Sequence, residues 1–232
     1  MSARFPHIPV DFPCMIDLSN VRTDSSIADI DLSIAAAKKY RFKCVFAMPV
    51  FTPYLIEQMR GCDDVLVGGT TGFPSGEDTT ATKVFAAREL AAMGCGEIDM
   101  VIAVGAVKSG RWDMVRSDIQ AVRDAVPDRP LKTILEVSLL TRDEIKRAAV
   151  TAVECGADYV KTGTGWMPKP VTVEDIVAIR EAIGDSAFIK AAGGIATLEQ
   201  ADALIAAGCS RFGISYAKTM KLMRDWEEDM KE

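Results

Sequence analysis

The sequence is nearly devoid of histidine: His7 is the only one among 232 residues. That argues against an imidazole-based catalytic triad, and it removes the ligand on which most transition-metal sites depend. Cysteine pairs are missing as well. The six thiols, at 14, 44, 62, 95, 155 and 209, form no Cys-x-x-Cys motif, and a chain of this size builds its own core without a disulfide framework. They read as reduced packing residues, and the expected compartment is the cytoplasm. Basic charge is in deficit: 27 Lys+Arg against 33 Asp+Glu give a net charge of −6, which argues against non-specific nucleic-acid binding. Aromatic residues make up only 7% and form no stacking platform for bases. No apolar run approaches the roughly 20 residues of a membrane helix. The opening MSARFPHIPVDFP has no signal-peptide core. Chemistry, if there is any, has to come from Lys, Asp, Glu, Tyr, Ser or Thr.

What the sequence does have is alternation. Short β-rich apolar runs trade places with amphipathic stretches. The predicted strands are Cys14–Leu18, Lys43–Met48, Val65–Val67, Ile98–Val104, Leu131–Val137, Tyr159–Lys161, Phe188–Lys190 and Arg211–Ile214. A helical pattern follows each. Ser26 region caps, the Thr141-Arg142-Asp143-Glu144 capping box and the stop glycines Gly61, Gly94, Gly156 and Gly208 set the boundaries. Eight β-then-α units without a linker or charge run predict an α/β fold, one (β/α)8 TIM barrel forming a single domain over residues 1–232. A doubly wound open sheet is the architectural alternative.

In such a barrel, reactive residues sit at the C-terminal ends of strands. Lys161 and Lys190 stand at two such ends, one βαβ unit apart. Neighbouring parallel strands lie about 4.8 Å apart, so two ammonium groups rooted there repel, and burial adds to the effect. A lysine made neutral in this way attacks carbonyls to form a Schiff base. The plainer alternative is that each lysine reaches solvent or meets a carboxylate. Asp99 and Asp17 are candidate proton handlers or lysine partners, and Glu136 is a candidate buried partner. Lys132 is a candidate for a basic pocket, but its early position in the strand makes the surface the expected place. Glycine-rich loops after the last three strands, Thr162–Gly165, Ala191–Gly194 and Gly213–Ser215, offer backbone N–H groups to an anion beside a helix N-terminus.

These segments resemble deoxyribose-phosphate aldolases, the DeoC-type class I aldolases. Val160-Lys161-Thr162-Gly163-Thr164-Gly165 is similar to V-K-T-S-T-G, and Ile189-Lys190-Ala191-Ala192-Gly193-Gly194-Ile195 to V-K-A-S-G-G-I. Glu97–Ile102 resembles E-I-D-M-V-I-N, Gly72–Gly76 with Thr79, Thr80 and Lys83 resembles G-F-P-x-G…T-T…K, Ile134–Thr141 resembles I-L-E-x-x-L-L-T, and Ile16–Ser19 resembles I-D-x-T. The order is conserved from about residue 14 to 216. The resemblance implies reversible cleavage of 2-deoxyribose 5-phosphate to glyceraldehyde 3-phosphate and acetaldehyde. No metal or other cofactor is implied. Sugar phosphate and aldehyde are the expected partners, and a homo-oligomer is left open. Carried over by motif, Lys161 is the Schiff-base lysine, Lys190 the neighbour that depresses its pKa, and Asp99 a proton handler acting through water. Asp17 and Ser19 support them, Thr162 joins the substrate site, and Gly193, Gly194, Gly213 and Ser215 hold phosphate. The chain departs from the pattern at Gly163, Ala192 and Val137-Ser138, at Ala196 in place of Arg, and at Phe46, Met48, Trp166 and Tyr216. Phe46, Met48 and Trp166 predict a more apolar mouth, Tyr216 adds bulk beside Ser215, and the guanidinium absent at Ala196 predicts a modest preference for phosphorylated substrate. The same chemistry on another or an unphosphorylated acceptor, and a non-catalytic sugar-phosphate-binding barrel, are the competing functional readings.

Overall fold

A computed structural model describes residues 4–231 of the chain. Eight parallel strands close into a barrel: β1 (Ile16–Asn20), β2 (Cys44–Ala47), β3 (Leu66–Thr71), β4 (Glu97–Val101), β5 (Leu131–Ile134), β6 (Tyr159–Lys161), β7 (Phe188–Ala192) and β8 (Arg211–Ser215). They pair in sequence order, and β8 returns to β1 with Ser215 opposite Ser19. The (β/α)8 expectation therefore holds, and the open-sheet alternative does not.

The surrounding helices are α1 (Ile27–Tyr40), α2 (Thr52–Gln58), α3 (Thr80–Met93), α4 (Val104–Lys108), α5 (Trp112–Ala125), α6 (Arg142–Glu154), α7 (Val173–Ile183), α8 (Leu198–Ala206) and α9 (Tyr216–Asp229). Local chemistry sets their starts. Ser26 and Asp29 close a capping box on α1, as do Thr141 and Glu144 on α6 and Thr172 and Asp175 on α7. Each box satisfies backbone N–H groups that the first turn leaves without partners. Gly94, at φ 112°, ends α3 in the left-handed conformation that glycine adopts without strain. Between helices and sheet lies a continuous apolar layer that includes Leu18, Ile34, Ile98, Ile119, Ile179 and Leu222.

Several strand boundaries differ from the sequence reading. β1 begins two residues later, so Asp17 lies near its start and not at its end. β3 runs on through Gly68-Gly69-Thr70-Thr71, a stretch whose glycines read as loop. Gly68 is there for space: a Cβ on it would fall 2.2 Å from the ring of Phe46 on the neighbouring strand. β5 stops at Ile134, and Glu136 takes φ 55°, a conformation unfavourable for a residue with a side chain. α4, a single short turn, was not anticipated. Lys83 in α3 is sealed between layers, where its Nζ donates to Asp118 Oδ2 at 2.6 Å and to the Val101 carbonyl at 3.0 Å. It thereby ties α3 and α5 to the end of β4.

Candidate active site

Side chains two apart on a strand share a face. Glu97 and Asp99 on β4 accordingly point the same way, into the barrel, and cations from other strands meet them there. Lys132 (β5) donates to Asp99 Oδ1 at 3.0 Å and to Glu97 Oε2 at 2.5 Å. It is fully buried, which corrects the surface role expected of it: its position in β5 projects inward, and the barrel interior at that height is polar. Arg211 (β8) reaches across to Asp17 Oδ1 at 2.6 Å and Glu97 Oε2 at 2.8 Å. Lys190 (β7) donates to Asp99 Oδ2 at 2.8 Å and forms an ion pair with Asp17 Oδ2 at 2.5 Å. Lys161 (β6) donates to that same Asp99 Oδ2, also at 2.8 Å.

Two strand-end lysines thus share one carboxylate oxygen. Lys161 and Lys190 are register partners on adjacent strands, and their nitrogens lie within two hydrogen-bond lengths of each other. The ring of Phe46 faces both Lys190 Nζ, at 4.6 Å from the centroid, and Lys132 Nζ, at 5.2 Å, which offsets part of the cost of burying them. Gly213 makes room for the pair. A Cβ there would lie 3.2 Å from Lys190 Cε and 3.9 Å from Lys161 Cε.

The electrostatics follow from the tally. Asp17, Glu97 and Asp99 face Lys132, Lys161, Lys190 and Arg211, one positive charge in excess if every group is ionised. A buried cluster resists net charge. Burial, reinforced by Lys190 and Lys132 and opposed by Asp99, lowers Lys161 to about 8. Loss of that one proton balances the cluster. Despite burial, the surrounding lysines hold Asp99 well below the ordinary carboxylate range, and Lys190, Lys132 and Arg211 hold Asp17 down likewise. Despite its own burial, Lys132 is held above its ordinary value by Asp99, Asp17 and Glu97. Asp17, Cys44 and Glu97 lie close enough together to suggest a metal nest. Both carboxylates are already engaged by cations, however, and burial pushes the Cys44 thiol well up.

Above the cluster opens a pocket whose lining combines polar groups with the apolar Phe46, Phe73, Trp166 and Ile195. Of the charged cluster, only Lys161 lines it; Lys190, Asp99 and Asp17 lie sealed beneath. Ser19, Gly193, Gly194, Gly213 and Ser215 line it as well. Gly193 and Gly194 have φ of 104° and 83°, and a Cβ on Gly194 would strike Pro170 at 2.3 Å. Ser215 precedes α9 with its hydroxyl unused as a cap. Here, then, a primary amine with a lowered pKa stands beneath a rim of glycine backbone and a helix N-terminus, groups able to receive an anion.

The chain matches the DeoC/LacD aldolase family across residues 27–218. It belongs to that family. The deoxyribose-phosphate aldolase of Staphylococcus carnosus (strain TM300) is 41% identical over 206 residues, covering 89% of this chain and 93% of that one. That of Rhizobium meliloti (strain 1021) is 41% identical over 216 residues, covering 93% and 87%. A solved chain from Coccidioides immitis superposes with a TM-score of 0.88 at 32% identity, over 94% of this chain and 86% of that one.

Set beside the family pattern, the predicted residues divide. Lys161, Lys190, Asp99 and Asp17 come together as one cluster, and Ser19, Gly193, Gly194, Gly213 and Ser215 gather around the pocket. Thr162 does not face it. Its hydroxyl is buried and bridges β6 to β7, donating to the Ala192 carbonyl at 2.8 Å and accepting from the Ala192 N–H at 2.9 Å. Glu136 meets none of the lysines. It accepts from the Thr164 N–H at 3.1 Å and from the Thr164 hydroxyl, and so braces the loop after Lys161. Gly163 is small at that spot because a Cβ would sit 2.7 Å from Glu136 Oε1. Ala196 and Tyr216 lie off the pocket, the former donating its N–H to Gln200 Oε1 and the latter packed against the core. Phe46 and Trp166 do line it, so the mouth is apolar on that side. Sequence reasoning missed Glu97, Lys132 and Arg211 as members of the cluster, and Arg22 and Lys218 at the rim. The period-two alternation of charged residues in β4 was the available signal for the first group.

Proposed function

We propose that the chain is a class I aldolase that reversibly cleaves 2-deoxyribose 5-phosphate to glyceraldehyde 3-phosphate and acetaldehyde. The observation that carries this reading is the position of Lys161: an amine lowered to about 8, alone of its cluster in facing the pocket. The neutral amine attacks the C1 carbonyl, and the carbinolamine loses water to give a protonated imine. That cation draws the C2–C3 bonding pair toward nitrogen. C3 becomes the aldehyde carbon of glyceraldehyde 3-phosphate as its hydroxyl gives up a proton, and C1–C2 remains as an enamine. Protonation at C2 and hydrolysis release acetaldehyde and restore the amine. Asp99, 2.8 Å from the reacting nitrogen and held ionised, is the fixed countercharge to the iminium and the acceptor of protons released at that nitrogen. Lys190 keeps the resting amine from holding its proton. Phosphate is received by the Gly193-Gly194 loop and the N-terminus of α9.

A non-catalytic sugar-phosphate barrel gives no reason to bury an excess cation whose proton is easily lost. Borohydride reduction in the presence of acetaldehyde is expected to fix an ethyl adduct on Lys161, and Lys161→Ala to remove both adduct and cleavage. An active Lys161→Ala variant refutes the reading. All six cysteines are free, which supports a cytoplasmic location, and no helix among the described residues is long and apolar enough to cross a membrane. Self-association belongs to the same proposal, and sedimentation at several concentrations tests it.

A further inference from the structure

We infer that Arg22 and Lys218 form a two-cation clamp that supplies the phosphate selectivity of this chain, with Trp166 as the residue that positions Arg22. The inference rests on the proposed aldolase reading and concerns which side chains carry full charge to the substrate's distant end.

Lys161 is unavailable for that task, since its work requires a neutral amine, and Lys132, Lys190 and Arg211 are committed to buried carboxylates. Backbone N–H groups at Gly193, Gly194 and the α9 N-terminus offer only partial charges. Arg22 and Lys218 are the two further cations on the pocket lining. Both are exposed, and among the described residues neither has a carboxylate partner. The barrel's register brings them to one place. Ser19 and Ser215 are paired across β1 and β8; Arg22 lies three residues beyond the first and Lys218 three beyond the second, so both rise over the same seam. The Gly193-Gly194 loop follows β7, the next strand along. A phosphate seated there meets backbone donors on one side and two cations on the other.

Arg22 is also held. Its guanidinium lies over the Trp166 ring, 4.6 Å from the centroid, and Trp166 Nε1 donates to the Val21 carbonyl at 3.0 Å. One indole thus fixes both the backbone and the head group of the arginine's loop. Pre-orientation of this kind reduces the ordering cost of binding, and a planar guanidinium offers a dianion paired donors.

The test compares kcat/KM for 2-deoxyribose 5-phosphate and for 2-deoxyribose, together with inorganic phosphate binding by calorimetry. Arg22→Ala and Lys218→Ala are each expected to reduce the phosphate-to-free-sugar ratio about tenfold or more, with a larger loss in the double variant. Arg22→Lys keeps part of the preference, and Trp166→Leu loses more of it than Trp166→Phe. Added salt lowers the wild-type ratio, because the pair is exposed. Inorganic phosphate binding weakens in the same order. Equal losses on both sugars, or an unchanged ratio with unchanged phosphate binding, overturn the clamp. Failure of the wild type to cleave either sugar refutes the aldolase reading instead, while weakened phosphate binding in the variants would still report the clamp.

Discussion

Lys161 and Lys190 donate to the same oxygen of Asp99, each at 2.8 Å, yet only Lys161 is open to the pocket. On the proposed reading, this asymmetry separates the nucleophile from the neighbouring cation that lowers its pKa.

The free-enzyme pH profile is the first consequence. The reactive form carries neutral Lys161, so log kcat/KM is expected to rise with pH and level off above about 8. Lys190→Met removes one of the cations that lower this amine, so the rising limb moves to higher pH. A limb that stays put, or moves down, contradicts the role assigned to Lys190.

Stability is expected to change in the opposite sense to activity when the nucleophile is removed. The folded pKa of Lys161 lies below its unfolded value, so the unfolded chain binds more protons between about 8 and the ordinary lysine range, and stability rises with pH across that window. Below it, the folded chain bears the cost of a buried extra cation. Lys161→Met removes that cost and leaves Asp99 with Lys132 and Lys190. The variant is expected to gain about 1–3 kcal/mol at neutral pH, read from urea midpoints.

In acid, stability again rises with pH, but here the charged groups are the stabilising ones. Asp99 and Asp17 have folded pKa values below their unfolded ones. Their contribution is complete above the unfolded carboxyl value and is lost as pH falls through the folded values. Replacing Asp99 by Leu abolishes its share at every pH and leaves three lysines without their common acceptor, a loss of about 3–5 kcal/mol. Urea titrations of wild type and variant across the acid range should converge.

Lys83 tests the scaffold apart from the chemistry. Lys83→Met leaves Asp118 buried without its ion pair and should cost about 3–5 kcal/mol, whereas adding Asp118→Leu should recover much of it. Thermal unfolding of the single and double variants measures the difference. No recovery in the double variant would mean that the helices need the charges themselves.

Gly68→Ala probes the floor of the pocket. The added Cβ would lie 2.2 Å from the Phe46 ring, and overpacking of this kind costs about 1–3 kcal/mol. Phe46→Leu in the same chain is expected to relieve most of the clash. A Gly68→Ala variant with wild-type Tm would show that the ring moves freely.

Alternation and capping made the barrel legible in the sequence. The eight units, the boxes at Thr141 and elsewhere, and the strand-end placement of Lys161 are all local patterns. What depends on the stagger between strands was not legible. Lys132 reads as a surface lysine until β5 is set against β4, where its inward face meets Glu97 and Asp99. Glu136 reads as strand because nothing in Ile-Leu-Glu-Val announces φ 55°. Gly68 and Gly69 read as loop because the aromatic ring and leucine that require their smallness come from other elements. The modest phosphate preference expected from Ala196 rested on its standing where the family motif carries Arg, with the contact to phosphate assumed. That side chain lies off the pocket, and the rim cations arrive from Arg22 and Lys218.

Trp166 meets the Phe73 ring edge-on at 6.1 Å, lies beneath Arg22 and hydrogen-bonds Val21, so loops after β1, β3 and β6 converge on one indole at the mouth. The other two tryptophans are elsewhere: Trp112 opens α5 with Arg147 over its ring, and Trp226 packs on α9. With Phe at 112 and 226, the protein's tryptophan fluorescence comes from the pocket alone. Its emission then reports occupancy of the mouth in real time, without a label and without turnover.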